Sequence, residues 1–253
     1  MNLLLSALAW IFDPANWVPG SQSPLPIQDR LVEHLIYTGA AVLIAGLIAL
    51  PLGFYIGHTG RGRQSVIAFT GSMRALPTLG VLFFLLMVFG YVLSYDRAPI
   101  VGATIAFVIL AIPSMLAGAY SGLESVDRQT IDAARANGMT EWQILTQVEI
   151  PLGLPLIVSG IRASVLQVVA TVTIASYAGL GGLGRIITSG IGLNDYDLIL
   201  GGAILVTALA LALDGLFALI QRATATKGLA DDSTTGRRPR LSRSTNTSTL
   251  THA

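Results

Sequence analysis

The side chains able to do chemistry are few and far apart. The chain has 253 residues, no cysteine and three histidines, His34, His58 and His252, none with a carboxylate at ligand spacing in the sequence. A metal site is therefore not expected, and a thiolate nucleophile or ligand is excluded. No nucleophile, base and acid fall into a readable catalytic pattern. Gly179, Gly181 and Gly184 match the Gly-x-Gly-x-x-Gly spacing that can cradle a dinucleotide, but that chemistry needs a preceding strand and a following soluble helix. Here the glycines follow a long apolar run and read as a tight loop. The Gly-x-x-x-x-Gly-Lys-Ser/Thr pattern is absent, so this chain is not expected to hold ATP through a phosphate-binding loop. Three ionisable residues, Arg74, Arg162 and Asp214, lie in or beside apolar runs. A charge in lipid is costly, so each marks either function, an internal ion pair or a side chain reaching for the interface. Tyr91, Tyr95 and Tyr177 could face a cation or sit at a membrane surface.

The elements that carry these residues are apolar helices. Hydrophobic residues make up 53% of the chain and charged ones 11%, with a mean hydropathy of +0.68. A soluble domain carries roughly 25% charged residues, so much of this surface must face lipid. A hydrocarbon core about 30 Å thick is crossed by roughly 20 helical residues. Five runs meet that length: 35–56, 72–92, 99–116, 157–178 and 198–220. The second opens with Arg74 and Pro77 and is expected to be broken or shielded there. The fourth mixes Ser, Thr and Ala with Val and Ile, a composition suited to packing against protein.

The chain divides into three regions. Residues 1–30 read as an interfacial or loosely ordered segment followed by a proline-rich linker, without the basic leading region of a signal peptide. Residues 31–222 form the membrane domain. Residues 223–253 are polar and read as a disordered tail, solvated in preference to lying on anionic lipid, and nothing beyond its charge points to nucleic acid. Counting loops alternately, ten basic residues fall on one side, from Arg61 to the tail, and three on the other, Arg30, Arg97 and Arg185. The positive-inside rule then puts the N-terminus outside and the C-terminus in the cytoplasm.

The longest polar stretch inside the bundle, residues 122–151, is cytoplasmic in that orientation. Asp127 can cap a helix with Ile131, Ala133 and Ala134 on a small apolar face, and Gly138 can stop it. Thr140 can cap a second helix carrying Trp142, Leu145 and Val148. Taken alone, this hairpin suits a membrane surface or a partner protein equally well.

Its spacing resembles the cytoplasmic loop of binding-protein-dependent ABC importer permeases, whose motif runs Glu-Ala-Ala, three positions, Gly, nine positions, Ile, one position, Leu-Pro. This chain has Asp132-Ala133-Ala134, Gly138, Val148, Ile150 and Pro151 in the same register, with Asp for Glu, Val for Ile and Ile for Leu. The resemblance extends over residues 74–222. Arg74-Ala-Leu-Pro77 is similar to an element of methionine and osmoprotectant permeases. Gly160-Ile-Arg162, the run from Ala170 to Tyr177 and the glycine loop resemble the glycine betaine, choline and carnitine group more closely.

The resemblance implies an all-α polytopic bundle with the five-helix core of a type-I importer permease, in the inner membrane. It implies that the chain is a transport subunit, with ATP and Mg held by separate ABC ATPase subunits. A second permease subunit and an extracytoplasmic solute-binding protein complete the implied assembly. Asp132, Ala133, Ala134, Gly138 and Pro151 would engage the ATPase, with Pro151 ending the hairpin before the fourth span. Arg74, Pro77, Thr171, Thr173 and Ser176 are the candidates for the solute pathway. A methionine permease is the alternative within the class, and an ATPase-independent channel or scaffold the alternative outside it.

Overall fold

The structure is a computed structural model that describes residues 3–18, 26–94 and 97–224. Among the described residues ten α-helices follow one another: α1 Leu3–Phe12, α2 Ile27–Thr59, α3 Arg63–Arg74, α4 Thr78–Val92, α5 Ala98–Glu124, α6 Arg128–Ala136, α7 Glu141–Ile144, α8 Ile150–Ala175, α9 Gly184–Leu193 and α10 Tyr196–Thr224. The fold is all-α, and α2, α5, α10 and the continuous helix Glu141–Ala178 are each long and apolar enough to cross a membrane. The bent pair α3–α4 makes a fifth crossing if taken as one span. Of the tail expected to be disordered, 223–253, the first two residues continue α10 and the rest, from residue 225 onward, lies outside the described residues, as does Tyr95.

The breaks follow from particular residues. Gly60 at φ 69° donates its N–H to the Ile56 carbonyl and ends α2, and Gly62 at φ 82° starts the chain back into α3. Both positions are left-handed, which glycine adopts without strain. Between α3 and α4 the axis turns by 88°. Pro77 lacks an N–H and disfavours helical geometry at Leu76, so the apolar run beginning at residue 72 yields a membrane helix only from Thr78.

One expectation is overturned. Pro151 does not end the hairpin. It lies in the first turn of α8, and the helix runs from Glu141 to Ala178 without interruption. The reason is a π-turn over Leu145–Glu149, in which the Ile150 N–H donates five residues back to the Leu145 carbonyl. The register shift falls where Pro151 has no N–H to offer. At the other side of the hairpin, α5 runs on to Glu124, beyond the expected boundary at residue 122.

Helix α5 is the centre of the bundle and packs along α2 and α8. On α2, Ala41, Ala45, Ala49 and Gly53 recur every fourth residue and are buried. A Cβ on Gly53 would lie 2.5 Å from that of Ala119, and one on Gly57 would lie 2.8 Å from that of Leu123. Across α5, a Cβ on Gly118 would lie 2.6 Å from the Gly160 Cα, and one on Gly122 would lie 2.8 Å from the Gly153 carbonyl oxygen. Backbones thus meet directly, the arrangement that holds helices together where lipid is as apolar as leucine. Phe107, Met115 and Leu116 fill the space between these seams.

Helices α1, α9 and α10 form a second layer. Ile27, Leu183, Ile186 and Leu198 make its core, with Trp10 of α1 packed over Gly201 of α10. The segment expected to be interfacial or loosely ordered contains helix α1, docked on α10 and joined to it by a hydrogen bond from Ser6 Oγ to Asp197. Arg162 of α8 and Asp214 of α10 form a forked ion pair, Nε to Oδ1 and Nη2 to Oδ2, both at 2.6 Å. The two charges found in apolar runs therefore answer each other. Leu43, Leu47, Phe84, Met87, Leu211 and Leu219 are exposed, as a bilayer-facing surface requires.

The glycine seam gives a test. Gly160→Val should force α5 and α8 apart and sharply reduce the yield of folded protein in detergent, read by size-exclusion chromatography. Gly39→Ala is the control, because nothing lies within 4 Å of a Cβ built there. Equal yields from the two variants would contradict direct backbone packing.

Candidate functional site

The hairpin between α5 and α8 is assembled by local signals. Asp127 stands in extended geometry before α6 and its carboxylate accepts the Gln129 N–H at 3.1 Å. At the far end, Gly138 has φ 82°. Its N–H donates to the Arg135 carbonyl at 2.9 Å, and the Met139 N–H donates to the Ala134 carbonyl at 3.2 Å. This paired 5→2 and 6→1 closure is the Schellman ending, and it requires a left-handed residue at position 138. Thr140 and Gln143 then form a reciprocal capping box that starts α7.

The hairpin has its own core. Val126, Ile131, Ala134 and Ile144 are buried together, with Met139, Val148 and Leu152 packed around them. Ala133 and Ala134 face different surroundings because neighbours on a helix are rotated by about 100°. Ala134 turns inward and Ala133 outward. Trp142 is 71% exposed, and Ile144 takes the inward position on α7.

The outer surface of the hairpin therefore carries Asp132, Ala133, Asn137, Gly138 and Trp142. Arg135 bridges the two helices with a fork to Glu141, at 2.8 Å and 3.0 Å, and a longer contact to Asp132 at 3.4 Å. The hydrogen bonds to Glu141 hold the Arg135 guanidinium above its already high usual pKa. Asp132 keeps a side chain that is 73% exposed. An exposed carboxylate, a bare alanine, a glycine with open space around it and a projecting indole give a compact surface for a protein partner.

A buried polar contact that sequence spacing did not reveal ties the hairpin to the bundle. Glu149, 3% exposed, accepts from Nδ1 of His58 at 2.5 Å, and Nε2 of His58 stands 3.3 Å from Glu141. The carboxylates missing from the neighbourhood of His58 in sequence come from the hairpin, 91 residues later in the case of Glu149. The end of α2 is thus fastened to the segment where the hairpin becomes α8.

The pathway candidates are dispersed. Arg74 ends α3, and its side chain lies outside the described residues. Pro77 lines a cavity of about 470 Å³ with Met73, Leu76, Gly80, Phe84 and Ile109. Thr171 donates to the Gln167 carbonyl, Thr173 to the Val169 carbonyl and Ser176 to the Thr173 carbonyl, so these hydroxyls are engaged within their own helical segment.

The glycine loop belongs to the opposite end of α2. The Gly182 N–H donates to Glu33 at 2.8 Å, and the Leu183 N–H donates to His34 Nδ1 at 3.3 Å. Nδ1 is therefore an acceptor, and Nε2 of the fully buried ring donates to the Val169 carbonyl at 3.2 Å. Gly181 and Gly182 pack against α2 side chains, whereas Gly184 packs against the backbone of Thr173 on α8.

Residues 49–226, which contain the hairpin and most of the bundle, match the family described as binding-protein-dependent transport system inner membrane component. The chain belongs to this family. Among curated relatives of these permeases, the glycine betaine/carnitine/choline transport system permease protein OpuCB of Bacillus subtilis (strain 168) is 34% identical over 197 residues, covering 78% of this chain and 88% of the relative. The carnitine transport permease protein OpuCB of Listeria monocytogenes is 37% identical over 182 residues, covering 72% and 80%. An inward-facing structure of the MetNI methionine ABC transporter matches with TM-score 0.68 and 22% identity over 79% of this chain and 97% of that one. The crystal structure of an amino acid ABC transporter with histidines matches with TM-score 0.62 and 19% identity over 87% and 97%. These two likenesses establish the type-I permease fold, and the chain is a multi-pass transport subunit.

His58→Ala would leave the Glu149 acceptor buried without its partner, a loss of about 1–3 kcal/mol. Thermal unfolding in detergent should shift down accordingly, and adding Glu149→Leu to His58→Ala should recover part of the shift. A double variant less stable than the single one would contradict this pairing.

Proposed function

We propose that this chain is the permease subunit of an ATP-driven importer for a quaternary-ammonium osmoprotectant: glycine betaine, choline or carnitine. The observation that carries the reading is the 34% identity over most of the length of a permease named for all three solutes. Relatives named for choline in Bacillus subtilis and for osmoprotectant import in Salmonella typhimurium support the same class. The methionine alternative draws on a likeness of 22% identity, which speaks for fold and not for solute.

The hairpin supplies the mechanism. Two cytoplasmic ATPase subunits hold ATP and Mg, and their closure presses on the surface carrying Asp132, Ala133 and Gly138. Ala133 lets the partner approach closely, while Ala134 holds α6 on the hairpin core. Pro151 contributes at the base of α8, beside the π-turn. A second permease subunit completes the membrane pathway, and an extracytoplasmic binding protein delivers the solute. Arg74, Pro77, Thr171, Thr173 and Ser176 remain the proposed pathway residues, with the hydroxyls acting after exchange of their present helix bonds. The N-terminus lies outside and the C-terminus in the cytoplasm. A channel or scaffold gives no reason for an exposed hairpin built on a left-handed glycine.

Uptake of labelled glycine betaine, choline, carnitine and methionine into cells carrying the chain with its ATPase and binding protein tests the solute. Quaternary-ammonium uptake is expected, and uptake of methionine alone would reverse the assignment. Gly138→Asp should abolish uptake at normal membrane abundance, because a left-handed non-glycine residue costs roughly 1–2 kcal/mol and its side chain projects into the docking surface. Orientation is tested with the single cysteine of Asn137→Cys: an impermeant thiol reagent should leave it unlabelled in intact cells and label it in inverted vesicles. Labelling from outside would overturn the cytoplasmic hairpin.

A further inference from the structure

Arg30 and His58 are 28 positions apart on α2, which at about 1.5 Å per residue separates them by roughly 42 Å. His58 meets the hairpin, so Arg30 stands at the far end of the bundle. There a cavity of about 490 Å³ lies between the start of α2, the start of α5 and the glycine loop, lined by Arg30, Glu33, Tyr37, Pro99 and Gly181 among others. Its size falls within the range of roughly 300–1,000 Å³ usual for small-molecule sites. The cavities beside α4 and along the outer side of α2 are walled by apolar side chains. This one brings together a cation, an anion and an aromatic ring.

Their bonding leaves capacity for a ligand. Arg30 is 9% exposed and its Nη1 donates to Glu33 Oε2 at 2.7 Å; its Nε is enclosed without a hydrogen-bond partner among the described residues, so the donors that can meet a ligand in the cavity are those of the terminal Nη groups. A guanidinium carries five N–H donors, so a buried one with an unspent face is costly unless something accepts from it. The bonds from Arg30 and from the Gly182 N–H both reach Oε2 of Glu33, which leaves Oε1 outside the pair. The carboxylate side chain is 34% exposed. Tyr37, one helical turn further along α2, packs partly against the main core and adds its ring to the wall. A Cβ on Gly181 would fall on the Glu33 carboxylate, so glycine is what lets the loop close this side.

A quaternary ammonium has no N–H to donate. It is recognised by aromatic faces and by nearby negative charge, whereas a carboxylate is recognised by a guanidinium. We infer that this cavity is a solute subsite of the permease, in which Tyr37 and Glu33 take a quaternary ammonium and Arg30 takes the carboxylate of a zwitterionic solute. The inference rests on the function proposed above and adds to it the residues that read the solute. Choline, with an ammonium and no carboxylate, uses only half of the site. Arg30 therefore sets the preference for zwitterions over choline.

The test is uptake by the complete importer with one unaltered binding protein, comparing kcat/KM for glycine betaine and for choline. Because the binding protein is common to all variants, its own selectivity cancels in the ratio to the parent. Arg30→Gln should lower the betaine-to-choline ratio by about tenfold, the loss of one charge-assisted contact. Tyr37→Leu should lower both values by about tenfold, while Tyr37→Phe keeps both. An unchanged ratio in an Arg30→Gln importer that still takes up choline overturns the subsite. If Arg30→Gln fails to assemble, the Tyr37 pair decides, and parental rates in Tyr37→Leu overturn it equally. A parent importer that takes up no quaternary-ammonium solute removes the function proposed above as well, and is distinguished by failing before any variant is compared.

Discussion

The bundle depends on backbones touching across α5. In water, burial of apolar side chains would drive these helices together, but in lipid that drive is nearly absent and association must come from close packing. Gly53 and Gly57 on one side of α5, and Gly118 and Gly122 against Gly160 and Gly153 on the other, remove the side chains that would hold the helices apart. Close approach brings dispersion contacts along the whole length, and each is small but they sum. Helix α5 is consequently fixed on both flanks, and the remaining elements arrange themselves around that three-helix slab.

Polar groups fasten the two ends of the slab. At one end Glu149 and Glu141 meet His58, and at the other Glu33 and His34 receive the N–H groups of the glycine loop. His58, Glu33 and His34 are supplied by α2, and Glu149 and Glu141 reach it from the hairpin. That helix has 33 residues, about 50 Å at 1.5 Å per residue, longer than a hydrocarbon core of roughly 30 Å. The surplus length carries His34 and His58 toward the two water-facing regions, where hydrogen-bonded polar groups cost less than at the bilayer centre. The Arg162–Asp214 fork is different in kind: it closes a charge balance between α8 and α10 within the helical bundle itself.

What could be read from the sequence was local. The Schellman glycine at 138, the caps at Asp127 and Thr140 and the apolar runs all follow from the residue and its near neighbours, and each appears in the structure. The pairings of His58 with Glu149 and of Glu33 with Gly182 could not be read this way, because nothing within one helical turn announces a partner 91 or 149 residues distant. Pro151 reads as a stop for the hairpin when an ordinary α-helical register is assumed, and the π-turn at Leu145–Glu149 admits it into α8 instead. The hydroxyls of Thr171, Thr173 and Ser176 suggested a polar lining by composition, yet composition does not tell whether a hydroxyl faces a passage or its own carbonyls.

The uninterrupted helix Glu141–Ala178 has a mechanical consequence. Its 38 residues make a rod about 57 Å long at 1.5 Å per residue. A rod has no joint at which displacement is lost, so its two tips move in fixed proportion, like the arms of a balance about a fulcrum. With the fulcrum at the Gly118–Gly160 contact, Gly160 divides the rod into unequal arms of 19 and 18 residues on either side, so nearly equal that the stroke at one tip reappears at the other almost undiminished and reversed in direction.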